Sequence, residues 1–167
     1  MVIDQDLCTG CQACVAACAM ENNIAAAIVI AEAVRTSLGP RGMDKMLVDQ
    51  FGDVVITNDG ATILDEIDVQ QPAAKMLVQV AKTQDDAVGD GTTTSTVLAE
   101  AIYLAGLKHV TAGANPLAIK RGMDRAVEAV VSEIKRVAKP LRTGDEIAQV
   151  AAISANNDQE IGKLIAE

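Results

Sequence analysis

The chain has 167 residues, half of them hydrophobic and 22% charged, enough to bury a core and too apolar for intrinsic disorder. Aromatic residues make up 1%, which excludes stacking platforms for single-stranded nucleic acid, and a net charge of −9 argues against a phosphate-backbone binder. The longest uncharged apolar run, Ile24–Ala31, is too short to cross a bilayer and follows no basic segment, so a cytoplasmic protein without membrane or nucleic-acid partners is expected. With so few aromatics the core must be aliphatic, and the six methionines are expected to help fill it.

The first element is a cysteine run. All four cysteines, Cys8, Cys11, Cys14 and Cys18, fall within eleven positions and the rest of the chain has none. A disulfide framework spreads its cysteines to staple distant loops, so this clustering points to metal or redox chemistry. Two gaps of two residues and one of three are the iron–sulfur spacing of bacterial ferredoxins, where a short loop brings thiolates to the irons of a [4Fe-4S] cluster. In two-cluster ferredoxins the fourth cysteine ligates the other cluster, and no other run exists here; Ala19 also stands where a proline is usual. Four readings stay open. Cys18 closes the same cluster or leaves an iron open, two chains exchange their fourth ligands, the thiols hold nothing stably, or they bind zinc.

Ile24–Leu38 has helical periodicity, with Ile24, Ala27, Ile28, Ala31, Val34 and Leu38 on one face, ended by Leu38-Gly39-Pro40. Lys45–Asp49 and Val54–Thr57 flank a Phe51-Gly52-Asp53 turn as a hairpin. Asn58-Asp59-Gly60 is a turn whose Asp59 can cap a short helix over 61–67. Pro72 opens a helix to about Ala87, and Gly89–Thr94 opens another, carried by Val97, Leu98, Ala101, Ile102, Ala105 and Leu107. Pro116 starts a helix reaching about Ala138, and shorter helices follow at Asp145–Ile153 and Asp158–Ala166. The fold class is mainly α with one small hairpin. His109, Asp85 and Asp86 read as surface charges at helix ends.

The chemistry beyond the cysteines lies in the glycine turns. Gly89-Asp90-Gly91-Thr92-Thr93-Thr94 sets small residues and hydroxyls where a helix begins, and free amides with the positive end of the helix dipole receive anions there. Asp90 can hold a divalent ion that neutralises phosphates. Leu38-Gly39-Pro40 allows a second close backbone approach, and Asp59 supplies another carboxylate. No Gly-Lys-Ser/Thr occurs, so this is not a Walker A loop.

Two resemblances sharpen this reading. Residues 1–23, MVIDQDLCTGCQACVAACAMENN, resemble the start of ferredoxin-like electron-transfer subunits of membrane-bound oxidoreductases. Residues 24–167 resemble the N-terminal part of a chaperonin subunit. The stretch RTSLGPRGMDKMLVDQFGDVVITNDGATIL and the following VAKTQDDAVGDGTTT are similar to the equatorial domain of archaeal group II chaperonins, whereas TVLAEAIYLAGLKHVTAGANPLAIKRGMDRAVEAV looks more like the bacterial group I type. The two dialects meet near Thr94–Thr96, which gives the chain a chimeric character.

The resemblance implies a helical chaperonin equatorial half domain over 24–140, the start of intermediate-domain helices over 141–167, and a short ferredoxin-like cysteine loop over 1–23. It implies ATP and magnesium as cofactors. Leu38, Gly39 and Pro40 match the loop touching nucleotide, Asp59 and Gly60 the turn near the γ-phosphate, Asp90 the magnesium-binding aspartate, and Gly91, Thr92, Thr93 and Thr94 the phosphate-cradling helix start. Ile153 and Ser154 match a region near the base, and Lys45 is expected to be structural. Members of the family are ATPases, but the aspartate that orients water comes from a returning equatorial half absent from this sequence. Asp59 alone would stand as a weak catalytic group. The expected function is therefore a nucleotide-binding chaperonin-like fragment with impaired hydrolysis. The alternative is an iron–sulfur electron-transfer or redox-sensing module on a helical scaffold. Apolar helix faces left uncovered would drive homo-oligomers.

Overall fold

A computed structural model describes residues 13–39, 41–49, 51–155 and 157–167, with side chains from residue 21 onward. The elements run α1 (Ala13–Arg35), β1 (Lys45–Val48), β2 (Val54–Thr57), α2 (Gly60–Asp65), α3 (Pro72–Val88), α4 (Thr92–Thr111), α5 (Pro116–Val137), α6 (Gly144–Ser154) and α7 (Gln159–Ala166). They fall into two compact units, one ending at Leu104 and the other spanning Ala105–Glu167. Among the described residues, no helix is long and apolar enough to cross a membrane.

In the first unit α1 begins well before Ile24. Residues 13–23 contain neither glycine nor proline and are rich in alanine, so nothing in them interrupts a helix. The helix stops at Arg35, short of Leu38, because Ser37 turns its amide (3.0 Å) and hydroxyl (2.8 Å) onto Val34 O and ends the regular ladder. Leu38 consequently leaves the expected apolar face and is exposed, while Ile30 joins it. The core is built from Ala27, Ile30 and Val34 of α1, Ile63 and Leu64 of α2, and Ala74, Leu77 and Ala81 of α3. Pro72 occupies the first turn of α3, where its missing N–H costs nothing, and Gly89 in left-handed conformation (φ 73°) closes the other end.

The hairpin pairs β1 and β2 antiparallel, from Lys45 opposite Thr57 to Val48 opposite Val54. Asp49 belongs to the turn rather than the strand: its Oδ1 accepts the amides of Phe51 and Asp53, both at 2.8 Å, around a left-handed Gly52. Phe51 at the tip is 92% exposed.

Two expectations about packing fail. Met43, Met46, Met76 and Met123 are all exposed, so these methionines are not core fillers. The helices meet through buried alanines at 27, 31, 74 and 81, and such close contacts leave no gap for a thioether. On α4, Leu98 and Ile102 are exposed and the buried stripe is Thr92, Thr93, Thr96 and Glu100. That polar stripe is tolerated because Thr92, Thr96 and Glu100 bond Asp59, Thr92 O and Arg35, and no fully buried side-chain nitrogen or oxygen among the described residues lacks a partner.

In the second unit, Thr143 and Glu146 form a capping box on α6, and Asp158 caps α7 through the amides of Glu160 and Ile161. The two helices cross at Gly162, where a Cβ would lie 2.6 Å from Ala148 O and 2.7 Å from Ala152 Cβ. Helix α5 buries none of its residues, and Leu117, Val127, Ile134 and Val137 face outward uncovered.

Candidate functional site

The site is assembled at the start of α4 by contacts between segments distant in sequence. Asp59 precedes α2 with extended backbone (φ −70°, ψ 126°), and its Oδ2 accepts the amide and the hydroxyl of Thr62, each at 2.8 Å. Its Oδ1 accepts the hydroxyl of Thr92 at 2.8 Å. One carboxylate thus caps α2 and grips the first residue of α4. Burial works against ionisation here, but the hydrogen bonds from Thr62, Thr92 and the Ala61 amide outweigh it and hold the Asp59 carboxyl below the ordinary range.

Gly60 makes the second join. A Cβ at this position would sit 2.6 Å from Thr93 Oγ1 and 2.8 Å from Thr93 N, so the Asp-Gly turn lies against the backbone of the helix start at a distance only glycine permits.

The loop before α4 contains two left-handed glycines, Gly89 (φ 73°) and Gly91 (φ 78°). Gly91 N donates to Asp90 Oδ1 at 2.6 Å, and Gln84 on α3 donates from Nε2 to Asp90 O at 2.9 Å. The bond from Ser95 N to Gly91 O (2.9 Å) opens the helical ladder, so the amides of Thr92, Thr93 and Thr94 precede the first intrahelical donor. Thr92 and Thr93 are buried, whereas Thr94 and Asp90 are exposed.

The Leu38–Gly39 corner is folded back on itself by Gly42 N donating to Gly39 O (2.8 Å) and Met43 N donating to Thr36 O (2.9 Å), with Gly39 left-handed at φ 85°. Gly42 passes so near Ser37 O that a Cβ would fall 2.1 Å from it. The corner is anchored to α4 through Arg35, whose Nη2 bonds Glu100 Oε2 at 2.7 Å; the Glu100 side chain is almost fully buried and Arg35 half exposed. Thr96 fills the turn between, its hydroxyl on Thr92 O at 2.9 Å.

Asp59, Gly60, Thr92 and Thr93 are therefore brought into direct contact, with Asp90, Gly91 and Thr94 adjoining. Leu38 and Gly39 connect to them through Arg35. Ile153 and Ser154 end α6 in the other unit, both exposed. Cys8, Cys11 and Pro40 lie outside the described residues; Cys14 and Cys18 stand one helical turn apart on α1. Sequence reasoning missed Gln84, Arg35 and Glu100. Gln84 carries no motif signal, and an Arg–Glu pair sixty-five positions apart has none either.

Among the described residues no three His, Cys, Asp or Glu groups converge as a metal site. A cavity of about 280 Å³ beside α2 and α3, rimmed by Lys75, Gln79 and Lys82, contains none of these site residues.

Comparison with known proteins identifies what each part of the chain is similar to. Residues 1–18 match the 4Fe-4S binding domain. A group III chaperonin whose crystal structure was solved in the open state is similar to this chain at 39% identity and a TM-score of 0.75. The likeness covers 89% of this chain but 30% of that protein, so the chain spans under a third of the relative's length. Residues 30–167 match the TCP-1/cpn60 chaperonin family. With most of its length matched in sequence and backbone alike, the chain belongs to the TCP-1/cpn60 chaperonin family.

Proposed function

We propose that the chain binds a magnesium–adenine nucleotide at the start of α4 and turns it over poorly. The observation that carries this reading is the 2.8 Å bond from Thr92 to Asp59, which joins the Asn-Asp-Gly turn to the Gly-Asp-Gly-Thr-Thr-Thr helix start. The donor set fits a phosphate group: amides of Thr92, Thr93 and Thr94 at a helix N-terminus, an exposed threonine hydroxyl, and glycines that let backbone approach closely. Asp90 would hold magnesium together with phosphate oxygens. The bound nucleotide would supply a transferable phosphoryl group. The chain's own contribution is to seat it at the start of α4, where Gly60 packed on Thr93 holds the Asp-Gly turn alongside.

Asp59 is a poor base for activating water. Three donors already engage its two oxygens and its carboxyl titrates low, whereas a general base works best near the operating pH. Phosphoryl transfer rests on positioning and on a group free to orient water, so a site whose carboxylate is already committed to structural hydrogen bonds should turn over slowly. Titration calorimetry with Mg·ADP on the full chain is expected to show binding, alongside negligible phosphate release from Mg·ATP. Absence of binding, or rapid sustained turnover, would refute the reading.

The cysteine run supports a second role for residues 1–18. Four thiolate-forming residues are the donor chemistry of a [4Fe-4S] cluster, which when bound supplies one-electron transfer. Anaerobic reconstitution followed by iron and sulfide analysis tests it. The uncovered apolar faces of the hairpin and α5 further suggest a homo-oligomer, to be read from light scattering after gel filtration.

A further inference from the structure

We infer that Gln84 is a positioning residue for the loop that leads into α4, deepening the nucleotide reading above. The loop Gly89–Gly91 has two left-handed glycines flanking Asp90, and such residues lose the most conformational freedom on ordering. The peptide plane after Asp90 turns on Asp90 ψ and Gly91 φ, and with no side chain at Gly91 it can rotate, which would redirect the Gly91 amide and the carboxylate it bonds.

Gln84 opposes this rotation from outside the loop. It sits in the last turns of α3, a helix fixed by buried Leu77 and Ala81, and is itself partly buried. Its Nε2 donates to Asp90 O at 2.9 Å, and the same nitrogen lies 3.5 Å from where a Cβ on Gly91 would be. The amide therefore bonds Asp90 O at one end of this peptide and occupies the space beside Gly91 at the other. With Asp90 O held, Gly91 N faces Asp90 Oδ1 at 2.6 Å, and the chain enters α4 with Thr92 aimed at Asp59. Gln84 is placed to act on ligand binding through loop geometry, without touching the ligand.

The test uses the full chain with two substitutions. Gln84→Glu keeps length and shape but presents only acceptors to Asp90 O. Gln84→Lys loses the amide but keeps a donor of similar reach. Hydrogen exchange at the Gly91 and Thr92 amides, measured without ligand, is expected to quicken about five- to tenfold in Gln84→Glu, the scale of one lost hydrogen bond. Mg·ADP affinity should weaken by a similar factor, with Gln84→Lys within about twofold of wild type and the thermal midpoint nearly unchanged. Unchanged exchange in Gln84→Glu, or equal damage from both substitutions, would overturn the inference. If wild type takes no Mg·ADP while Gln84→Glu still exchanges faster, the nucleotide reading falls and the loop tether stands.

Discussion

Gly60 and Thr93 are in backbone contact, close enough that a single methyl group on Gly60 would overlap the threonine amide and hydroxyl. This contact fixes how near the Asp-Gly turn comes to the α4 helix start. Gly60→Ala is expected to destabilise the first unit by about 1–3 kcal/mol, since backbone on both sides must shift to admit the methyl. Urea unfolding followed by circular dichroism measures the loss, and Mg·ADP affinity should fall with it. The control Gly106→Ala, on α4 where a Cβ meets nothing within 4 Å, should be neutral or slightly stabilising.

Asp59 has two structural tasks, so its removal should cost more than a simple cap. Asp59→Ala loses the Thr62 cap and leaves the Thr92 hydroxyl without its acceptor. A loss of about 2–3 kcal/mol follows from a cap plus a partly buried hydrogen bond. Thr92→Val removes only the second contribution and should cost about 1 kcal/mol. Denaturant midpoints of the two variants separate the tasks.

The lowered carboxyl of Asp59 sets the sign of an acid dependence. Folded Asp59 binds its proton less readily than the unfolded residue, whose pKa is about 3.9. Its stabilising contribution is fully present above that value and disappears as pH falls through the lower folded one. Unfolding curves for wild type and Asp59→Asn at descending pH should differ most above about pH 4 and converge in stronger acid.

Arg35 and Glu100 form an unequal pair, one end wet and the other buried. Arg35→Met strands the Glu100 carboxylate and should destabilise by about 1–2 kcal/mol, less than for a fully buried pair because water still reaches the arginine side. Pairing Arg35→Met with Glu100→Gln should recover part of that loss, because no charge is then left buried. Thermal melts of the single and double variants check the coupling.

Gly162→Ala probes the second unit. The added Cβ would strike Ala148 O and Ala152 of α6, both on a helix that cannot yield locally. A loss of about 1–3 kcal/mol confined to the Ala105–Glu167 unit is expected, visible as faster amide exchange in α6 and α7 while α1–α3 keep their protection.

The local features of the site were legible in the sequence because their causes are local. Asp59 reads as a cap since its side chain reaches an amide three positions ahead, and Pro72, Gly89 and Gly91 mark helix ends through their own backbone preferences. The hairpin turn at Phe51–Asp53 follows from the same short-range chemistry. The start of α1 was missed because nothing between Ala13 and Ile24 signals a beginning, and its end because Ser37 hydrogen bonding leaves no apolar-period signature.

Pattern and turn chemistry by themselves determined the mainly helical class, the order of the elements, the Lys45–Thr57 hairpin and the glycine turns that end α3 and precede α4. Tertiary structure alone decided that α4 turns its threonines and Glu100 inward and its Leu98 and Ile102 outward. Periodicity records how apolar each face is, but a polar face can be buried when partners such as Asp59 and Arg35 arrive from elsewhere in the chain, and such pairing leaves no trace in local spacing.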